Sequence, residues 1–120
     1  MESFEEFLKR KGNKLIKMKD ISRKGYYYFQ REALTYMQQF NLKEKYYILE
    51  RLKIVKMEGE ITNKNNKIGN VEYRIGYYII GKIRKAKDRW IWGQFCPMIP
   101  SSDFTKLIKK AKKEKTIINT

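Results

Sequence analysis

The sequence predicts a single α+β domain over residues 1–120: a three-stranded antiparallel meander covered on one face by two N-terminal helices and one C-terminal helix. Three observations carry this expectation. Residues 71–83 alternate between apolar and mixed positions, the two-residue period of a half-buried strand. Polar turns rich in Asn, Gly, Lys and Arg separate that run from apolar segments on either side. Segments nearer both ends repeat apolar residues at spacings of three and four, the period of a helix packed along one stripe.

In chain order, Ser3 and Glu6 stand at capping-box spacing, where hydroxyl and carboxylate satisfy free amides at a helix start. Phe4, Phe7 and Leu8 fall on one face, Lys9, Arg10 and Lys11 suit the negative end of the dipole, and Gly12 supplies a stop. A helix is expected over about 4–11. Residues 13–24 mix apolar and basic side chains without a clean period and read as a short strand or a loop. Tyr26, Phe29, Ala33, Tyr36, Met37 and Phe40 then form a stripe that predicts a second helix over about 26–40, although its aromatic start also suits a strand.

Residues 46–62, rich in Ile, Leu, Val and Tyr, predict the first strand, with a bulge near Lys53 to Val55 where the alternation breaks. Residues 63–70 are a polar turn. The strand at 71–83 places Val71, Tyr73, Ile75, Tyr77, Ile79 and Ile83 on one face and Glu72, Arg74, Gly76, Tyr78, Ile80 and Lys82 on the other. A basic turn at 84–88 leads into a third strand at 89–96, which Pro97 and Pro100 end. Ser101 or Ser102 is expected to cap a last helix over about 102–114, with Phe104, Leu107, Ile108 and Ala111 as its apolar stripe. Helices on one side of this sheet leave the other face for function.

At 42% apolar and 14% aromatic residues the chain has the material to build a core and is not a disordered basic tail. No apolar run approaches the roughly 20 residues of a membrane span, and the acidic opening is unlike a secretory leader, so a cytoplasmic protein without membrane contact is expected. Histidine is absent and Cys96 is the single cysteine. Ser-His-Asp and Cys-His nucleophiles, histidine bases and Cys/His zinc sites are thereby excluded. No cofactor, metal site or catalytic residue is assigned, and the chain reads as a binding protein more than an enzyme. The remaining enzymatic option is a metal-dependent nuclease, with Glu58, Glu60 and Glu72 as the carboxylates that would hold its cation.

Charge is the strongest functional signal. Twenty-eight basic side chains face 13 acidic ones, a net +15, and residues 82–120 carry 11 basic and 3 acidic groups. An excess on that scale points to polyanionic partners, DNA or RNA first among them. Three surfaces follow. The turn cations Lys82, Arg84, Lys85, Lys87 and Arg89 lead into Trp90 and Trp92, which are two apart on one strand face and would make a stacking pair on an open face. Arg74, Tyr78 and Lys82 share a face of the preceding strand. Lys106, Lys109, Lys110 and Lys113 coat the last helix. Lysine outnumbers arginine 21 to 7, which favours phosphate contact over base readout and hence sequence-tolerant binding. An acidic protein partner, docked on the same basic face, is the alternative.

Overall fold

The computed structural model describes residues 1–118. Helix α1 (Phe4–Lys11) is followed by strands β1 (Ile16–Lys19), β2 (Gly25–Gln39), β3 (Leu42–Gly59) and β4 (Val71–Ile80). A single turn of 3-10 helix (Arg84–Ala86), strand β5 (Trp90–Trp92) and helix α2 (Ser101–Lys113) complete the chain. The strands form one antiparallel sheet in the order β1-β2-β3-β4-β5, a meander in which every neighbour in sequence is a neighbour in space. None of the described helices is long and apolar enough to cross a membrane.

The α+β class holds, but the predicted architecture does not. Among the described residues the sheet has five strands instead of three, there are two α-helices instead of three, and the helices lie on opposite faces. The predicted helix at 26–40 is β2, the partner of β3 along most of its length. Its pairing skips Glu32, because Arg31 faces Leu52 and Ala33 faces Arg51. That extra residue reverses the alternation halfway along. Tyr27, Phe29, Arg31, Leu34 and Tyr36 therefore share one face, while Tyr26, Tyr28, Ala33, Thr35 and Met37 share the other. The apparent helical stripe drew residues from both. A second bulge, at Val55, falls where the broken alternation of β3 predicted it. The long bulged β2–β3 ribbon curls, since bulges add twist.

α1 packs on the inner side of that curl. The capping box is formed as expected, with the Glu6 amide donating to Ser3 Oγ at 3.1 Å and the Ser3 amide to Glu6 Oε1 at 3.0 Å. Phe4 and Phe7 are buried against Ile48, Tyr78 and Trp90, with Leu34, Tyr36, Tyr46 and Ile80 around them. A second cluster on the same side, Tyr27, Phe29, Leu52 and Ile54, fills the other end of the ribbon under Ile16 and Met18 of β1.

α2 covers the opposite side and the free edge of β2. Its buried positions are Asp103, Leu107 and Ala111, so the predicted stripe is rotated: Phe104 is exposed and an acid takes its place. Asp103 accepts from the Phe40 amide at 3.0 Å and the Tyr47 hydroxyl at 3.4 Å, and burial beside it pushes Tyr47 up to about 12. Thr116 and Glu114, just past α2, meet the buried Thr35 hydroxyl at 2.8 Å each. Lys110 donates to the Tyr36 carbonyl at 2.8 Å, and the Asn13 side chain to the Arg31 carbonyl at 2.9 Å. These are carbonyls on the stretch of β2 that β1 does not reach. The helix starts at an N-cap Pro100 without a side-chain cap, not at either serine.

The strand limits also shift. β3 begins four residues earlier than expected, β4 ends at Ile80 and β5 is three residues long. Asp20 clips the β1–β2 turn to the residues after β3. Its Oδ2 accepts from the Ser22 amide (2.9 Å), the Thr62 amide (3.2 Å) and the Thr62 hydroxyl (2.7 Å), which together hold its pKa well below the usual carboxylate range. A lowered folded pKa means stability present above the unfolded value, about pH 4, and lost as pH falls through the folded one. Asp20→Asn is therefore expected to melt below the parent at pH 7, with a gap that narrows between about pH 4 and pH 2.5. Melting curves across that range check it, and a gap independent of pH would show that the carboxylate charge is not what ties the turn.

Candidate functional site

Between the two apolar clusters the inner face of the sheet carries charge. Glu50 of β3 pairs with Arg74 of β4 in the register, and Arg31 of β2, opposite Leu52 beside the Glu32 bulge, reaches the same carboxylate from the neighbouring row. Glu50 has a side chain only 3% exposed. It accepts from Arg74 Nε at 2.8 Å and from an Arg31 terminal nitrogen at 3.4 Å. A carboxylate buried this far would be very costly alone, and two guanidiniums at once compensate it.

This trio floors a cleft of about 380 Å³. The end of α1 and the 12–16 segment form its wall, supplying Arg10, Lys11, Asn13 and Lys14, and Tyr78 closes one side. Five cationic side chains thus line the cleft against one carboxylate. Arg10 is also held by Glu2 at 2.9 Å, while Lys11 rests over the rings of Phe7 and Tyr78 at 5.6 Å. Burial raises the Tyr78 hydroxyl above its ordinary value, so it remains a donor at neutral pH. Chemically the cleft offers charge-assisted donors to an anion and no general base.

Of the predicted residues, the sheet brings Arg74, Tyr78 and Trp92 together. Trp92 pairs with Tyr78 across the β4–β5 ladder, and the Arg74 guanidinium sits 4.7 Å from its ring centroid. The indole lies over Gly76, where a Cβ would collide with it; glycine is required here by close approach. Trp92 is 37% exposed and touches two cleft residues, Arg74 and Tyr78, without lining the cleft itself. Trp90 does not join it. It is 9% exposed in the α1 cluster, with its indole N–H donating to the Glu2 carbonyl at 3.0 Å. The expected pair of stacking tryptophans is one core residue and one surface residue.

The basic turn is exposed, as its composition suggests. Lys82 is paired with Glu44, whereas Arg84, Lys85, Lys87 and Arg89 have no carboxylate within 4.0 Å among the described residues. Arg89 and Trp90 line a second cavity of about 670 Å³ together with Glu2, Asp88, Ile91 and Arg10. Arg10 is thus common to both hollows. On α2, Lys106, Lys109 and Lys113 are exposed, but Lys110 is committed to the Tyr36 carbonyl and to Glu114 at 3.2 Å. Glu58, Glu60 and Glu72 are not gathered, and no group of three acidic or thiol side chains is placed to hold a metal among the described residues.

Arg31, Glu50, Lys11 and Lys14 belong to the cleft and were not singled out in the sequence. The available signal was Glu50, an acid at an inward position of an otherwise apolar run, which demanded cations from both neighbouring strands. No protein-family model, curated protein or solved structure matches the chain.

Proposed function

We propose that this chain is a sequence-tolerant nucleic-acid-binding module whose phosphate contacts run from the 82–89 turn, past Arg10, into the cleft floored by Glu50. The observation that carries the reading is the cleft lining, with five cations to one acid; Arg10 also lines the neighbouring hollow, where Arg89 of the basic turn lies with Glu2 and Asp88. Such a track neutralises phosphates and releases counterions whatever the base sequence. Trp92, against Arg74 of the cleft, adds an aromatic contact for an unpaired base.

Lys11, Lys14, Lys85 and Lys87 are exposed and outside the core, so their removal tests binding without unfolding the chain. Oligonucleotide affinity is measured by anisotropy at several salt concentrations. The Lys11→Ala/Lys14→Ala and Lys85→Ala/Lys87→Ala pairs are each expected to weaken binding roughly tenfold. Each should also flatten the dependence of log K on log salt by about two contacts. Unchanged affinity and slope in either pair would remove that part of the track, and no binding by the parent at low salt would remove the reading.

A second reading has one specific observation behind it. Phe95 and Met98 are exposed apolar side chains in the loop after Trp92, a feature more useful against a protein than a phosphate chain. An acidic protein partner would use the same cations with this loop at their border. Capture of a partner that survives nuclease treatment and is lost in Phe95→Ser/Met98→Ser favours it.

A further inference from the structure

We infer that the outer face of the β1–β2–β3 corner, on the other side of the sheet from the cleft, is a second surface that takes single-stranded nucleic acid by stacking bases on Tyr26 and Tyr28. This extends the nucleic-acid reading but does not depend on the cleft.

The register builds the surface in rows. Lys17, Tyr28 and Lys56 lie abreast across three strands, and Lys19, Tyr26 and Glu58 form the next row. Alternation turns all six away from the apolar cluster of Tyr27, Phe29, Leu52 and Ile54. Both tyrosines are partly exposed, and all three lysines are exposed. The ammonium groups lie over the rings: Lys17 Nζ is 4.2 Å from the Tyr26 centroid and 5.7 Å from that of Tyr28, and Lys56 Nζ is 5.1 Å from Tyr28. Glu58, the one acid of the patch, is already engaged by the Tyr28 hydroxyl and by Lys56 at 3.6 Å, which hold its pKa below the ordinary carboxylate range.

Rings and cations interleaved on an open sheet face are what a base-stacking platform requires. An incoming base takes the ring face now occupied by a lysine head, and the displaced ammonium, on its flexible stem, swings to the flanking phosphate. The spacing selects the ligand. Rings two residues apart on a strand are about 6.7 Å apart, twice the roughly 3.4 Å rise between bases stacked in a duplex. Bases reach both rings only from a strand that is unpaired and extended.

The test compares labelled oligothymidine with a duplex of equal length, using the full chain. Tyr26→Ser/Tyr28→Ser is expected to bind oligothymidine at least about thirtyfold more weakly, the loss of two stacked bases. Its salt dependence and duplex affinity should be unchanged. Tyr26→Phe/Tyr28→Phe keeps the rings and is expected to bind as the parent does. Lys17→Ala/Lys56→Ala flattens the salt dependence for oligothymidine alone. If the serine variant melts below the parent, Tyr26→Leu/Tyr28→Leu keeps the apolar volume without an aromatic face, and the same outcomes apply. Equal oligothymidine binding in a folded tyrosine variant overturns the inference, as does an equal loss for duplex and single strand. In either case the cleft variants still report on the track through Arg10. Failure of the parent to bind either polymer overturns both.

Discussion

Replacing Glu50 with Ala is expected to destabilise the protein by about 3–5 kcal/mol, read as a lowered midpoint in urea. Glu50 receives Arg74 at 2.8 Å and Arg31 at 3.4 Å with its own side chain almost fully buried. Deleting it leaves two guanidiniums, of which Arg31 is 17% and Arg74 29% exposed, close together without a counter-charge. The penalty arises from the stranded partners more than from the lost pair. The triple change Arg31→Met/Glu50→Leu/Arg74→Met is accordingly expected to recover most of the stability, because no charge is left unpaired. That variant should also lose affinity for polyanions, since two of the five cleft cations are gone. A loss below about 1 kcal/mol for Glu50→Ala would mean that water reaches the trio and screens it as at a surface.

Phe4→Ala is expected to cost about 3–5 kcal/mol, the range for truncating a buried aromatic. Phe4 is the hub of the inner core. It stacks on Tyr46 with centroids 4.3 Å apart, and meets Tyr36 edge-on at 5.5 Å and Trp90 at 5.2 Å. It is also the first residue of an eight-residue helix, too short to persist without tertiary contacts. Truncation therefore loosens α1 from the sheet as well as opening a cavity. Because the Trp90 indole donates to the Glu2 carbonyl next to this helix, its emission should shift to the red before global unfolding. Native emission together with a loss under 1 kcal/mol would show that the remaining rings close over the gap. Since α1 also carries Arg10 and Lys11 into the cleft wall, the same variant should weaken oligonucleotide binding.

What was legible in the sequence follows from how local each signal is. The capping box of α1 and the Val55 bulge depend on residues close in the chain, and both were readable. β2 was not, because Glu32 is an extra residue whose effect is defined only by its partner strand. Once it reverses the alternation, a two-residue period imitates a three-four period, and tyrosines on both faces supply apolar positions to either pattern. The placement of α2 failed for a related reason. Asp103 reads as a first-turn acid, yet its partners, the Phe40 amide and the Tyr47 hydroxyl, lie more than fifty residues away. For the site, Arg74 and Tyr78 were readable as one strand face, but Trp92 was read with the basic turn and joins them only through the β4–β5 register, and Trp90 was misplaced beside it, since only the position of α1 decides that this indole is covered.

The capped edge of β2 has a consequence for how molecules of this chain meet one another. A strand edge with free carbonyls is a template on which another chain can add itself. Along β2 the carbonyls of Arg31 and Tyr36 are already taken by Asn13 and Lys110, and the amide of Phe40 by Asp103. Addition of a strand along that stretch of β2 is blocked by side chains, one of them a lysine whose charge an approaching strand would have to displace. On the far edge β5 covers only the last three residues of β4, so residues 71–76 have a strand partner on the β3 side alone. At high concentration, or when α2 is loosened, the two edges will therefore behave differently. Self-association should begin at β4 in the native protein and reach β2 only after the C-terminal helix lets go.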